Sequence, residues 1–156
     1  MNGKIVHQGK TNDGKTFIIR YPAANDAQEM CNYINTLSKE KTFIRFQGEQ
    51  ITLPEETTYL NEELKKINNN RSVQLLILLD KKVVGNSSID LKDKSESHEG
   101  TFGISIAKEI RGEGIGKLLM KLVLKEAEEN LPELKIITLG VFGDNELAYK
   151  MYQKFG

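Results

Sequence analysis

The chain has 156 residues, and its 22 basic and 22 acidic side chains give a formal net charge of zero. That balance argues against general nucleic-acid or anionic-membrane binding. No apolar run nears the roughly 20 residues of a membrane span, the polar start MNGKIVHQGK has no apolar signal region, and the lone Cys31 makes no internal disulfide. One domain over 1–156 in a reducing cytoplasm is therefore expected.

The runs GKIVHQ and KTFIIRYP flank TNDGK. Asp-Gly between two apolar runs predicts an antiparallel hairpin. AANDAQEMCNYINTLSKE reads as a helix, with Asn25 or Asp26 placed to cap it and Ala27, Met30, Cys31, Ile34 and Leu37 at near-helical spacing. PEETTYLNEELKKINNN predicts a second helix that starts at Pro54 and carries Tyr59, Leu60, Leu64 and Ile67 on one face. Its acidic residues Glu55, Glu56, Glu62 and Glu63 are expected on a solvated face. VQLLILLD is too apolar for an exposed strand and reads as a central one. A turn at Lys81 and Lys82 leads to a strand in VVGNSSIDL, and GTFGISIAK follows with Phe102, Ile104 and Ile106 on one face.

Ile115, Leu118, Leu119, Leu122 and Val123 give the strongest helical periodicity in the chain, closed by Leu131 and Pro132. LKIITLGVF reads as a further strand and ELAYKMYQKFG as a last helix. The element order predicts an α/β or α+β fold: a central sheet with helices on both faces.

The stretch EIRGEGIGK places Gly112, Gly114 and Gly116 where that long helix begins. A strand, a glycine turn and a helix N-terminus make an anion site, because first-turn amides have no helical partner and the helix dipole favours negative charge. The spacing fits neither G-x-G-x-x-G nor the P-loop, where Leu118 would replace Ser or Thr. It fits Arg-x-x-Gly-x-Gly through Arg111, Gly114 and Gly116.

On these residues the chain resembles the GNAT superfamily of acyl-CoA-dependent N-acetyltransferases, whose pyrophosphate signature opens a long helix in this way. Ile106 stands five residues before Arg111, as that family's fourth strand does before its signature. DNELAYKMYQKFG supplies Asn145, Ala148 and Tyr152 at the spacing of the family's last helix. FIIRYPAANDAQEM and LDKKVVGNSSI resemble its opening strand and its strand-turn-strand, so the resemblance runs from about residue 17 to the end.

The resemblance implies a mixed, mostly antiparallel GNAT-like sheet flanked by helices on both faces. It implies acetyl-CoA as co-substrate and no metal. Backbone groups of Ile104, Ser105 and Ile106 would hold the acyl arm, and Arg111, Gly112, Gly114, Ile115, Gly116 and Lys117 the pyrophosphate, with Asn145 contacting the cofactor or capping its helix. Tyr152 would protonate the leaving thiolate, and His98 or Glu99 would take the amine's proton. The partner would be an amine substrate, with no nucleic acid or membrane. The family's fold continues past this point with two more strands; without them an exposed sheet edge and a homodimer are expected. Two other readings use the same turn: a non-catalytic acyl-CoA-binding or interaction module, and a nucleotide-binding regulator.

Overall fold

The sheet is built around the strand that the sequence marks as most apolar. In the computed structural model, which describes residues 1–39 and 50–138, this is β3 (Ser72–Leu79), buried along all but its last residue. A strand buried on both faces needs a layer on each side. β3 is third of six, in the order β1-β2-β3-β4-β5-β6. β1 (Ile5–Lys10) and β2 (Thr16–Arg20) precede it, and β4 (Lys82–Leu91), β5 (Glu99–Ile106) and β6 (Ile136–Thr138) follow. Pairing is antiparallel except between β5 and β6, which are parallel. The mixed, mostly antiparallel sheet expected from the sequence is thus present.

Among the described residues three α-helices flank it: α1 (Ala27–Lys39), α2 (Leu53–Asn68) and α3 (Ile115–Asn130). Side-chain contacts assign their faces. Gly116 of α3 lies against Ile106, and Glu126 of α3 accepts from Tyr21 Oη at 2.7 Å. Tyr33 of α1 meets Ser105, whose side chain leaves β5 on the opposite side. Glu63 of α2 accepts from Ser72 of β3. So α3 covers one face, and α1 and α2 cover the other.

The turns follow local chemistry. Gly14 takes φ 85° in the β1–β2 loop, as Asp-Gly hairpins require. The β3–β4 turn is Asp80–Lys81, both at positive φ, with Lys82 already in β4; it sits one residue earlier than expected. The Asp26 side chain ties down the start of α1: it accepts Ala23 N–H at 2.6 Å and a two-pronged contact from Arg20 at 2.7 and 2.8 Å. Burial works to raise its carboxyl, but these bonds outweigh burial and hold it below its usual range. Thr52 caps α2 through Glu55 N–H at 3.3 Å.

One helix face differs from its expected pattern. Tyr59 of α2 is exposed, and the buried stripe is Glu56, Leu60, Glu63 and Ile67. Two of the four glutamates expected on a solvated face are therefore inside. Their spacing of four, three and four residues matches the apolar stripe, so docking of Leu60 and Ile67 carries them in. No helix among the described residues is long and apolar enough to cross a membrane.

Candidate functional site

β5 ends at Ile106 and the chain turns sharply. Ala107 N–H still pairs with Val84 O at 2.8 Å. A single 3-10 turn, Lys108–Ile110, buries Ile110 and brings the backbone to the glycines. Gly112 and Gly114 take φ 83° and 77°, in the left-handed region that other residues enter at a cost. Both are exposed, and a Cβ built on either would meet nothing within 4 Å. What the turn demands of these positions is backbone conformation, and the space above them is open.

Gly114 caps α3 without any side-chain bond. The first helical bond runs from Leu118 N to Gly114 O at 3.1 Å. The amides of Ile115, Gly116 and Lys117 thus have no helical acceptor and lie at the positive end of a 16-residue helix. Gly116 faces the sheet, where a Cβ would stand 3.4 Å from Ile106 Cγ1. Arg111 Nε donates to Ile106 O at 2.9 Å, fastening the turn to the strand end. The Glu113 carboxylate accepts Asn12 N–H at 2.6 Å, so the β1–β2 hairpin braces the turn. This donor set suits a pyrophosphate: convergent amides, a guanidinium and open backbone.

Beside it, Ile104, Ser105 and Ile106 are half-buried. They pair with Ser87, Asn86 and Gly85 of β4. The β5–β6 ladder covers only Glu99 to Thr101 among the described residues. The Ser105 and Tyr33 hydroxyls are 2.8 Å apart. Near the same strand end, a cleft of about 290 Å³ is lined by Glu29, Tyr33, Val84, Ala107 and Glu109 among others, on the α1 side of the sheet.

The turn and the strand end are therefore contiguous, as the sequence reading placed them. The two candidate bases lie at the other end of β5. Glu99 Oε2 accepts from Lys92 Nζ at 2.8 Å, and that contact holds its carboxyl below the usual range. The His98 carbonyl accepts from Lys135 and Ile136 amides, at 2.8 and 3.1 Å. Asn145 and Tyr152 lie outside the described residues. No group of three or more His, Cys, Asp or Glu side chains is arranged to hold a metal among the described residues.

The sequence reading missed a polar layer beneath α2. Glu63 is 1% exposed and faces Ser72 and Asp90. The signal was available: Glu63 falls between Leu60 and Ile67 on their own stripe, and Asp90 interrupts the apolar end of β4.

A search of the curated proteins finds the L-amino acid N-acetyltransferase AaaT of Escherichia coli (strain K12), 34% identical over 84 residues, or 53% of this chain and 51% of that protein. The chain thus spans about half the length of the curated relative it matches. Among solved structures, a GNAT-family acetyltransferase from Streptococcus pneumoniae matches with a TM-score of 0.81 and 27% identity, covering 90% of this chain and 83% of that one. The putative acetyltransferase yncA of Salmonella typhimurium, solved with its cofactor acetyl-CoA, shares the fold at a TM-score of 0.74 and 13% identity, over 90% of this chain and 78% of its own. The model of the acetyltransferase (GNAT) family matches residues 35–156, most of the chain, and this chain belongs to that family.

Proposed function

We propose that this chain transfers the acetyl group of acetyl-CoA to a primary amine by direct attack in a ternary complex. The observation that carries the reading is the glycine turn: three amides without helical acceptors and a guanidinium bonded to the end of the strand that would hold the acyl arm. On this reading Arg111, Gly112, Gly114, Ile115, Gly116 and Lys117 receive the pyrophosphate. Backbone groups of Ile104, Ser105 and Ile106 align the pantetheine, and one of their N–H groups stabilises the oxyanion. Asn145 contacts the cofactor, and Tyr152 protonates the departing thiolate. A phenol suits that role because its unperturbed pKa lies within roughly two units of a thiol's. His98 or Glu99 relays the amine's proton. Lys92 stabilises the charged form of Glu99, which weakens that carboxylate as a base.

The whole chain acts as one domain on this reading, in the cytoplasm and with a homodimer as its assembly. The curated relative is named for L-amino acids, which makes their α-amines the first acceptors to screen.

The test is calorimetric titration with acetyl-CoA, with ATP and NAD as controls, followed by thiol release in the presence of an equimolar mixture of the protein L-amino acids. Micromolar acetyl-CoA binding without ATP binding, and amine-dependent thiol release, are expected. Binding of ATP or NAD in preference to acetyl-CoA would overturn the reading. Tyr152→Phe should lower turnover by tens of fold with acetyl-CoA affinity nearly intact; equal loss of both would make the tyrosine structural.

A further inference from the structure

Gln74 stands inside β3, the most apolar strand of the sheet, and is 0% exposed. Its Nε2 donates to Asn86 Oδ1 at 2.9 Å, across the β3–β4 pair. Its Oε1 is buried and accepts nothing. A buried amide with one end unmet costs stability, and an apolar side chain of similar size would pack there at less cost. What the single side-chain bond of Gln74 contributes is the orientation of Asn86.

Asn86 stands where that orientation matters. It is the Cα partner of Ser105 on β5, and the Ser105 hydroxyl bonds Tyr33 on the α1 side of the sheet. Cross-strand partners project from one face with Cβ atoms about 5 Å apart. Asn86, Ser105 and Tyr33 therefore form one polar patch, an amide and two hydroxyls, beside the segment that the acyl-transfer reading gives to the thioester arm. Asn86 is half-buried. Its Oδ1 is turned to Gln74, so its Nδ2 is turned from Gln74, and it donates to nothing among the described residues.

The patch has room above it. One step along the same face Gly103 lies opposite Ser88. Gly103 is exposed, and a Cβ on it would meet nothing within 4 Å. On the other side Tyr33 also lines the cleft of about 290 Å³.

Asn86 has donors to offer and lacks an acceptor, so the ligand that completes it brings an oxygen. An amine laid across β5 with its nitrogen at the thioester reaches Asn86 with an oxygen carried on the carbon next to the amine-bearing one. That is the arrangement of an α-aminoacyl group. A plain alkylamine leaves the Asn86 donors unmet, and a site built to hydrogen-bond an oxygen discriminates against a substrate that lacks it.

We propose that Asn86, oriented by Gln74, hydrogen-bonds the carbonyl or carboxylate oxygen of an α-aminoacyl acceptor and so selects such α-amines over simple alkylamines. The inference rests on the acyl-transfer reading and names the acceptor class of that same site. Asn86 touches the substrate, and Gln74 is a positioning residue that acts through it.

The test sets glycinamide against ethylamine, two small amines that differ in the carbonyl. The side-chain amide ¹⁵N–¹H resonances of Asn86 are followed as each is added, with and without CoA, beside calorimetry of acetyl-CoA binding. A saturable shift with glycinamide and a much weaker one with ethylamine are expected; glycine then tells a carboxylate from a carbonyl. In thiol release, the ratio of kcat/KM for glycinamide to that for ethylamine should fall about tenfold in Asn86→Ala, the loss of one hydrogen bond. Comparing ratios between proteins cancels the different basicities of the two amines. Gln74→Leu should lower the same ratio about threefold while melting no lower than the wild type. A glutamine with a merely structural role would change the melting temperature and leave the ratio alone. Asn86→Asp, which keeps the shape and loses the donors, serves if Asn86→Ala does not fold. No glycinamide shift in protein that binds acetyl-CoA, equal shifts with both amines, or an unchanged ratio in a folded Asn86 variant would overturn the inference. A glycinamide-selective shift in protein that binds no acetyl-CoA would uphold the Asn86 site and strike the acyl-transfer reading instead.

Discussion

Arg111 reaches back five residues to bond the carbonyl of Ile106, at 2.9 Å. The bond joins the last residue of β5 to the turn that opens α3, so the arm and the pyrophosphate would be held by one rigid unit. Arg111→Ala should weaken acetyl-CoA binding about tenfold, the loss of one charge-assisted hydrogen bond and a nearby cation. The side chain is exposed, so thermal stability should change little. Calorimetry and a melting curve on the same sample separate the two effects; an unchanged Kd would remove Arg111 from the cofactor site.

Gly114 should tolerate substitution poorly for a conformational reason. Its φ of 77° is costly for any residue with a Cβ, and the cost is greatest for a β-branched one. Gly114→Val should lower stability by about 1–2 kcal/mol and lower acetyl-CoA affinity further than Arg111→Ala does, because its side chain would occupy the open space above the amides. Retained affinity in a folded Gly114→Val protein would count against a pyrophosphate at this turn.

Two other glycines are set by packing. A Cβ on Gly100 would stand 2.7 Å from Ile89 Cγ2 and 2.9 Å from Leu134 Cδ1. Ile89 is fully buried, and its Cγ2 branches directly from Cβ, so it cannot swing aside without moving the strand. A Cβ on Gly85 would stand 2.6 Å from Ile77 Cδ1, the free end of a side chain. Gly100→Ala should therefore cost about 1–3 kcal/mol in urea denaturation, and Gly85→Ala less. The reverse order would mean that β3 repacks less readily than β4.

Glu56 gives stability a pH dependence. Burial alone raises its carboxyl from 4.5 to about 7. Below pH 4.5 the group is protonated folded and unfolded, and it favours neither state. Between 4.5 and about 7 the unfolded chain releases the proton and the folded one keeps it, so stability falls as pH rises through that window. Glu56→Gln removes this slope. Its melting temperature should equal the wild type's near pH 4 and exceed it at pH 8, by a gain of roughly 1–2 kcal/mol after allowance for partial solvent screening. Equal melting temperatures at both pH values would place Glu56 in solvent.

The local features of this protein were legible in its residues. Asp13–Gly14 announced a hairpin, the run Val73–Leu79 a strand covered on both faces, and the spacing from Ile115 to Val123 a long amphipathic helix. Each of these depends on neighbours within about one turn of helix or one residue pair, where steric limits and hydrophobic period act directly. The meeting of distant residues was decided only by the tertiary structure. Asn12 bonds Glu113 across 101 positions, and Tyr33 meets Ser105 across 72. Glu63 and Asp90 are brought together by the docking of α2 on a strand register that no single segment encodes. Charge alone places the glutamates of α2 in solvent; Leu60 and Ile67 bury that face, and the carboxyls on their stripe go in with them. Sequence period sets which residues share a face, and the tertiary structure decides what that face meets.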